Sequence, residues 1–436
     1  MKFYDRKAET EALNGLSPEP FEQGRFVLMF GRRRFGKTAL LLQAFKGRRV
    51  LYLLVTRDSE AVLCERFQKK AEDVLGVRFY GHIAHFRDLF DELIKASQEK
   101  PFILIIDEFQ DLSWVNPAIF SHIQNLWDEN MFKKRPYIIA CGSIYSLMIR
   151  IFSGQHEPLM GRTAARFHIG PFDISVIKQI LKDYNPKYTN EDLLCLYMLT
   201  GGVPYYIGLL LDSKAWTKTK MLRYALSENS KFITDGKELL VSEFGKNYGE
   251  YFSILQLIAR GMTTQSEIDS VLGYNTGSYI ANLETEYSLI RRNKPLFSKP
   301  GSRNSRWLIN DNYFRFYFRY IERNPDLVET KQFDKLYDIV MQDYTSYTGL
   351  VLENYFRQKI AEEGGWTKLG RWWDRKGKNE IDILTYDELK HKATVYEVKR
   401  QKKKIDLSEL KNKAELIKAE LPGYTFSYKG LGLEDM

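Results

Sequence analysis

The sequence predicts an α/β protein of several domains that begins with a parallel sheet covered by helices. Between about residues 24 and 145, the apolar runs FVLMF, VLYLLV, FILIID and YIIACG alternate with longer stretches of helical spacing. Continuous apolar strands of this kind are typical of a parallel sheet that is buried on both faces. A chain of 436 residues is also too long for one ordinary core, so further domains are expected.

The pattern changes three times after this core. Apolar residues first recur only at helical intervals, which predicts a small helical domain or lid. Next come helices and two strand-like runs, LIRRN and RWLIND, the outline of a winged helix-turn-helix, with Thr264 as an N-cap and Glu267 as its box partner. A last helix (Gly349–Glu362) precedes the strands IDILTY and TVYEVK. The predicted domains are the P-loop core 1–171, the lid 172–240, the winged helix 241–330 and a C-terminal α/β domain 331–436.

Composition and cysteine use exclude several classes of protein. No segment approaches the roughly 18 apolar residues of a membrane helix, and the opening MKFYDRKAETEAL lacks a signal peptide's apolar run. Cys64, Cys141 and Cys195 are far apart and lie among apolar neighbours, so neither a disulfide framework nor a zinc site is indicated. We expect a cytoplasmic protein with no membrane partner.

The net charge is +9, and the basic excess is concentrated near the C-terminus. Residues 390–418 hold ten Lys or Arg against four acids, including the run KRQKKK. Such an excess favours a polyanionic partner, although it says nothing about the fold.

The segment GRRRFGKT fits the P-loop pattern G-x-x-x-x-G-K-[ST] at every required position. Gly31 and Gly36 let the backbone turn its N–H groups toward phosphate oxygens, Lys37 reaches the β- and γ-phosphates, and Thr38 binds Mg²⁺. The alternative is a chance match in a basic loop. The pattern predicts ATP and Mg²⁺ as ligands, with contacts from Gly31, Arg32, Arg33, Arg34, Phe35, Gly36, Lys37, Thr38 and Ala39.

Polar residues follow the later strands of the predicted sheet. Asp107 is predicted to hold the water shell of Mg²⁺, and Glu108 to polarise the attacking water. The alternative is a plain solvated strand end. Ser143 is either a contact to the γ-phosphate or attacking water, or part of a strand-end turn. Arg162, beside Gly161, is a candidate to stabilise transition-state charge when it is brought in by a neighbour or by a closing domain, and Arg166 is more simply a surface residue.

These motifs resemble, in order, those of the archaeal-type ATPases in the signal-transducing (STAND) branch of the AAA+ superfamily. The resemblance rests on GRRRFGKT, IIDEFQ, CGS, PLMGR and TGGVPYY and covers residues 1–240. It implies that Asp5 and Arg6 lie near the base of the nucleotide. It also implies that Pro204, in the Gly202–Pro204 turn, helps to sense which nucleotide is bound.

A second set of charged residues lies in the C-terminal domain. Glu353 is on a helix, Asp382 is on a strand, and Glu397 and Lys399 are two apart on the next strand, where they share a face. Converging carboxylates there would bind Mg²⁺, with Asp382 and Glu397 as ligands and Lys399 orienting a hydroxide. A chance pattern is the alternative, since Lys399 opens a basic run.

The pattern of an acid, then D, then E-x-K resembles that of the restriction-endonuclease-like nucleases. The resemblance implies a restriction-endonuclease-like fold and assigns catalytic positions to Glu353, Asp382, Glu397 and Lys399. The archaeal-type ATPases often carry such a domain, with lines similar to NEIDIL and YEVK.

Nucleic-acid contacts are predicted in the winged-helix region. The candidate recognition helix near 278–287 is acidic, whereas Arg291–Asn293 and the stretch 301–306 suit a wing that contacts phosphates. An interdomain or protein-contact role is the alternative. The aromatic segment Asn312–Ile321 is predicted to face the core, with its arginines on a solvated face.

Two functional classes follow. One is an ATP-binding and ATP-hydrolysing switch coupled to a metal-dependent DNA nuclease or DNA-binding domain, with a homo-oligomer in which Arg162 acts in trans. The other is a nucleotide-dependent regulator that binds DNA or protein and whose nuclease-like domain is inactive.

Overall fold

The computed structural model describes residues 1–16, 24–130, 136–155, 157–299, 301–302 and 304–436. The chain divides into two compact units, residues 2–170 and residues 171–436 together with Met1. Each unit has its own architecture.

The described residues of the first unit form a five-stranded sheet with the order β2-β3-β4-β1-β5, in which every pairing is parallel. Three strands are buried along their whole length, as continuous apolar runs require. Parallel strands end at the same edge, so the segments that follow β1, β3 and β4 meet there. The strands are β1 (Phe26–Phe30), β2 (Val50–Leu54), β3 (Ile103–Asp107), β4 (Tyr137–Gly142) and β5 (Ala165–His168).

The helices of this unit pack their apolar faces on the sheet. In the α4 helix, Leu89, Phe90, Leu93 and Ile94 recur at helical spacing and are all buried. The helices are α1 (Lys7–Gly15), α2 (Lys37–Ala44), α3 (Glu60–Leu75), α4 (Phe86–Glu99), α5 (Leu112–Val115), α6 (Ile119–Glu129) and α7 (Tyr145–Ser153).

The second unit begins with a helical region that has no strand among its described residues from 171 to 244. Its central helix, α9, is buried on nearly all sides and begins at a capping box formed by Thr189 and Asp192. The helices are α8 (Ile174–Tyr184), α9 (Asn190–Thr200), α10 (Pro204–Asp212), α11 (Lys218–Ala225) and α12 (Lys231–Phe244).

Helices and a hairpin follow in the predicted order. The predicted capping box is confirmed, because Thr264 accepts from the N–H of Glu267 while the Glu267 carboxylate accepts from the N–H of Thr264. The predicted wing stretch 301–306 includes Arg303, which lies outside the described residues. The elements are α13 (Tyr248–Ala259), α14 (Gln265–Leu272), α15 (Gly277–Thr285) and the antiparallel strands β6 (Ile290–Asn293) and β7 (Arg306–Ile309).

The aromatic segment forms α16 (Asn312–Phe316) and a π-helical turn (Tyr317–Ile321), and its aromatic side chains are buried as predicted. Its arginines differ from the prediction of a solvated face. Arg315 is buried, and Arg319 is paired with Asp343. The reason is that both arginines face a polar cavity inside the unit instead of bulk water.

The C-terminal part combines a long helix with a mixed sheet of order β11-β10-β9-β8. Strands β8, β9 and β10 are antiparallel neighbours, and β11 pairs with β10 in parallel. Ile381, Leu384 and Val395 of the sheet pack against Leu410 and Ala414 of α19. The elements are α17 (Pro325–Glu329), α18 (Phe333–Glu363), β8 (Lys368–Trp373), β9 (Glu380–Asp387), β10 (Lys392–Val398), α19 (Leu407–Glu415) and β11 (Thr425–Leu431).

A search of the described residues for membrane-spanning segments found no helix with enough length and apolar character to cross a bilayer.

Candidate functional site

The predicted P-loop connects β1 to the N-terminus of α2 at the carboxyl edge of the first unit's sheet. Gly31 is required by space, because a Cβ atom there would collide with the backbone oxygen of Ile169. Gly36 precedes α2 with a φ of 83°, in the left-handed region that favours glycine. The loop therefore ends at a helix N-terminus whose free N–H groups suit a phosphate.

Lys37 is buried, and its ammonium group folds back over the loop. Its Nζ atom donates to the backbone oxygens of Gly31 at 2.5 Å and Arg32 at 3.1 Å. A buried ammonium group held only by carbonyl oxygens is well suited to exchange them for the more negative oxygens of a phosphate. Among the other predicted contacts, Phe35 is buried and Thr38 and Ala39 lie in the first turn of α2.

The two adjacent acids at the end of β3 take separate positions. Asp107 is the last residue of the strand, and its Oδ2 lies 3.4 Å from the Thr38 hydroxyl. Tyr52 of β2 also donates its hydroxyl to Oδ2 of Asp107. Burial and this hydrogen bond raise the pKa of Tyr52, so the phenol remains a donor at neutral pH. Thr38 and Asp107 are thus adjacent oxygen donors that fit a hydrated Mg²⁺ ion.

Glu108 is held by three neighbours that are distinct from Thr38 and Asp107. Its Oε2 accepts from Ser143 Oγ and Gln110 Nε2, both at 2.7 Å, and its Oε1 lies 3.6 Å from Arg33 Nε. Glu108 has a φ of 53°, which turns the chain sharply at the strand end. A carboxylate fixed beside the P-loop in this way can orient and polarise a water molecule.

Asp5, Arg6 and Arg162 were also predicted to act at the nucleotide. Arg6, with a φ of 65°, donates to the backbone oxygen of Gly170 and pairs with Glu9, while Asp5 is exposed. Arg162 forms a two-pronged ion pair with Asp128, at 3.1 Å and 2.6 Å. Arg162 is therefore engaged within its own unit and would have to exchange Asp128 to reach a neighbour's nucleotide.

Pro204 lies in the second unit, at the first position of α10. The turn before it contains Gly201 and Gly202, both with positive φ, and Gly202 accepts a hydrogen bond from the Phe172 N–H. Contact of Pro204 with a nucleotide stays a prediction.

Three of the four predicted C-terminal residues line one cavity of about 810 Å³ within the second unit, and Lys399 is not among its lining residues. Glu353 reaches it from α18, Asp382 from β9 and Glu397 from β10. The hairpin between the strands is short, and the Val398 N–H of β10 donates to Asp382 Oδ2 at 2.7 Å. The spacing of the two strands thus brings Asp382 and Glu397 to the same end of the sheet.

Cationic side chains pair with two of these three acids. Glu353 pairs with the buried Arg371, and Glu397 lies 3.4 Å from both Lys399 and Lys413. Lys399 directly follows the last residue of β10, and its Nζ atom contacts the Glu397 carboxylate. In the described part of the chain, no group of three or more His, Cys, Asp or Glu side chains is arranged to hold a metal ion. A site formed by all three acids is therefore not preformed, because Arg371 engages Glu353.

The electrostatics of this cavity are strongly perturbed. Burial, together with the charges of Glu353 and Glu397, raises the pKa of Asp382 to about 8, although the Val398 hydrogen bond opposes this shift. Burial also raises the pKa of Glu353, which Arg371 opposes. A divalent cation or a cationic group in this cavity would relieve the repulsion among these acids.

Several residues of both sites were not predicted from the sequence. Tyr52 and Gln110 contact Asp107 and Glu108, and Arg371 and Lys413 contact the C-terminal acids. Gln110 follows directly after the DEF segment and could have been noticed there. Tyr52, Arg371 and Lys413 lie in elements whose pattern indicates only packing, so the sequence carries no separate signal for them.

Two family models and a sequence relative match this chain. A family model described as an ATPase domain predominantly from Archaea matches residues 3–210. Another, described as archaeal and bacterial proteins of unknown function, matches residues 317–414. An uncharacterized protein of Methanocaldococcus jannaschii is 31% identical over 415 residues, which is 91% of this chain and 87% of the relative.

Solved structures share the fold at low identity. The Walker-type ATPase of Pyrococcus abyssi has a TM-score of 0.56 at 19% identity, covering 73% of this chain and 96% of that one. The ORC2 protein of Aeropyrum pernix, solved in ADPNP–ADP complexes, has a TM-score of 0.50 at 14% identity, covering 76% of this chain and 96% of that one. The chain belongs to the family of the Methanocaldococcus jannaschii relative, and its N-terminal part carries an ATPase domain of the type found predominantly in Archaea.

Proposed function

We propose that this ATPase is a nucleotide-dependent switch whose C-terminal domain is a metal-dependent nuclease acting on DNA. The observation that carries the proposal is the meeting of Glu353, Asp382 and Glu397 at one cavity with basic walls. Buried acids on neighbouring elements have no packing value, and such clusters with perturbed pKa values mark functional sites.

Asp382 and Glu397 are the proposed ligands of Mg²⁺. Mg²⁺ commonly uses one or two carboxylates and completes its shell with water and substrate phosphate, so two acids are sufficient. The bound ion would supply Lewis-acid activation of a phosphodiester. Lys399, 3.4 Å from Glu397, would orient the attacking hydroxide or steady the charge that develops on the phosphate.

The cavity walls support a nucleic acid as the substrate. Arg306, Arg315 and Arg319 line it from the hairpin and aromatic segment, and Arg375 and Lys376 line it from the β8–β9 turn. Arg and Lys side chains that flank an acidic centre hold phosphates on either side of the bond to be cleaved. The hairpin and its three helices, in the predicted role of a winged helix, would guide the DNA toward the cavity.

On the nucleotide side, Lys37 and Thr38 would hold the phosphates and Mg²⁺, Asp107 the metal's water shell, and Glu108 the attacking water. Asp5, Arg6, Arg32, Arg33, Arg34 and Pro204 are the proposed further contacts to ATP. A homo-oligomer in which Arg162 leaves Asp128 for a neighbouring nucleotide is part of the same proposal.

A second candidate function is a DNA- or protein-binding regulator with an inactive nuclease-like domain. The Arg371–Glu353 ion pair favours it, because this pair removes one acid from the proposed metal site. Both candidates retain the ATPase and differ in whether the carboxylate cavity cleaves its ligand.

Plasmid cleavage in the presence of Mg²⁺ or Mn²⁺ distinguishes them. We expect wild type to cut DNA, and Asp382→Ala and Lys399→Ala to lose cleavage by about a hundredfold or more. Lys390→Ala is the matched control, since Lys390 is an exposed basic residue that pairs with Asp387 at the other end of the hairpin. Absence of cleavage by wild type with either metal would refute the nuclease and leave the regulator.

A further inference from the structure

A second cavity of the unit 171–436 is lined by arginines without matching acids. It has a volume of about 280 Å³, and Arg291, Arg315 and Arg357 reach it from β6, α16 and α18. None of the described residues that line it is acidic. Its remaining polar lining consists of neutral side chains, namely Asn310, Asn312, Asn354, Gln358 and Tyr197.

The guanidinium groups in this arginine pocket have few bonds of their own. Arg315 donates to the Ile309 oxygen at 2.7 Å, and Arg291, within the part of the chain that the structure describes, reaches only the Asn354 side chain, at 3.4 Å. The Nε of Arg291 is buried and has no hydrogen-bond partner among the described residues. In the same part of the chain, no carboxylate pairs with Arg291, Arg315 or Arg357.

The accumulated positive charge is unfavourable while the pocket holds only protein. Burial, together with the charges of Arg357 and Arg315, lowers the pKa of Arg291 to about 9. Burial and the charge of Arg371 also lower the pKa of Arg357. With a pKa of about 9, Arg291 still carries its charge at neutral pH. Buried charges are ordinarily paired, so an anion is the missing partner.

We propose that the arginine pocket binds a phosphate group. Three guanidinium groups that converge from different elements suit a doubly charged tetrahedral anion better than a carboxylate, which offers one charge and two oxygens in a plane. The asparagine and glutamine amides can bind the remaining oxygens or the attached sugar. The volume lies near the lower end for ligand pockets, roughly 300 Å³, which admits a mononucleotide-sized group but not a duplex.

Two sources can present this chemistry: a free nucleotide and the phosphorylated end of a nucleic-acid strand. Arg315 and Asn354 line both the arginine pocket and the carboxylate cavity, so the bound phosphate lies beside the three acids. Phosphate binding here does not depend on cleavage, and it would hold even if the neighbouring cavity were inactive.

The test uses the full chain with Lys37→Ala, which removes the P-loop as a competing phosphate site. Thermal unfolding is followed in inorganic phosphate, AMP, and short single-stranded DNA with a 5′-phosphate or a 5′-hydroxyl, at constant ionic strength. Arg357→Gln is added to remove one guanidinium. Arg223→Gln, which removes an exposed arginine paired with Asp334, is the matched control.

We expect the melting temperature of the Lys37→Ala protein and of its Arg223→Gln control to rise with the logarithm of phosphate concentration. Arg357→Gln should weaken the apparent affinity about tenfold or more, the loss expected for one charge-assisted hydrogen bond. It should not lower the melting temperature without phosphate, because it relieves repulsion. If Arg357→Gln fails to fold, Arg291→Lys is used instead. It keeps the positive charge but removes the planar guanidinium group, and we expect a similar weakening of the apparent phosphate affinity.

A phosphate response that is absent in the Lys37→Ala protein would overturn the proposal. So would an equal response in the Arg357→Gln and Arg223→Gln proteins. If the protein responds to phosphate and AMP but not to 5′-phosphorylated DNA, the ligand is a free nucleotide. If it responds to phosphate and 5′-phosphorylated DNA but not to AMP, the ligand is a strand end.

Discussion

Ser143 donates a hydrogen bond from its Oγ to Oε2 of Glu108 at 2.7 Å, which joins the end of β4 to the acid that follows β3. Gln110 donates to the same oxygen, so the carboxylate is fixed from two sides. The alternative prediction of a mere strand-end turn for Ser143 is incomplete, since its side chain binds a catalytic candidate. The orientation of Glu108 thus depends on a neighbouring strand.

Replacing Ser143 by alanine should therefore impair hydrolysis more than ATP binding. Glu108 would keep its bond to Gln110 but lose a fixed orientation, and we expect kcat to fall about tenfold. Phosphate release at saturating ATP and binding of a fluorescent ATP analogue measure the two effects. Ser97→Ala is the control, because Ser97 is buried in α4 and its hydroxyl, among the described residues, donates only to the Ile94 oxygen. Equal effects of both variants on kcat would contradict this role of Ser143.

Variants of Lys37 and Glu108 should separate the binding of ATP from its hydrolysis. Lys37→Ala removes the buried ammonium group that faces the loop, and we expect ATP affinity to fall by about a hundredfold. Glu108→Gln keeps the shape and the Ser143 contact but removes the negative charge. It should bind ATP normally and hydrolyse it roughly a hundred- to ten-thousandfold more slowly. Turnover that is unchanged in both variants would refute the assigned nucleotide site.

The sequence was sufficient where one local pattern determines both backbone and chemistry. GRRRFGKT requires Gly31 and Gly36 to form its loop, and the apolar strand before Asp107 fixes the direction in which that acid points. Strand alternation likewise predicted that Glu397 and Lys399 share a face.

The sequence was insufficient where a side chain acts through tertiary packing. The arginines of the aromatic segment were expected on a solvated face, but Arg315 is buried and donates to Ile309. Arg371 lies in an ordinary strand pattern, and only the packing of β8 against α18 brings it to Glu353. Helical or strand periodicity specifies which face is buried, and it does not specify whether that face meets a core or a polar cavity.

The carboxylate cavity should give a distinct pH dependence. The pKa of Asp382 is raised from 3.8 in its ordinary state to about 8 in the folded protein, so the folded state retains a proton that the unfolded chain has released. Its contribution to stability is complete at low pH and is lost as pH rises through 8, with a slope of up to about 1.4 kcal/mol per pH unit. Asp382→Asn cannot titrate, so urea unfolding should show this slope in metal-free wild type and not in the variant.

The affinity for a divalent cation should rise with pH, whereas the stability of the metal-free protein falls. A divalent cation must displace the proton of Asp382, so the affinity for Mn²⁺ should increase by up to about tenfold per pH unit below 8. Titration calorimetry in buffers of different ionisation heat should detect proton release. Binding of Mn²⁺ that is independent of pH and releases no proton would exclude Asp382 as a ligand.

Arg371 should stabilise the protein chiefly through Glu353. Both side chains are largely enclosed, and removing one partner of a buried ion pair leaves an uncompensated charge that costs about 3–5 kcal/mol. Arg371→Met should lower stability by that order near pH 8 and by less near pH 5.5, because Glu353, whose pKa burial already raises, can then accept a proton. Arg223→Met is the control, since it breaks an exposed pair with Asp334 and should change stability by less than about 0.5 kcal/mol. Urea unfolding of both variants at the two pH values measures these differences. If Arg371→Met loses the same stability at pH 5.5 and at pH 8, the charge of Glu353 is not the cause of the loss.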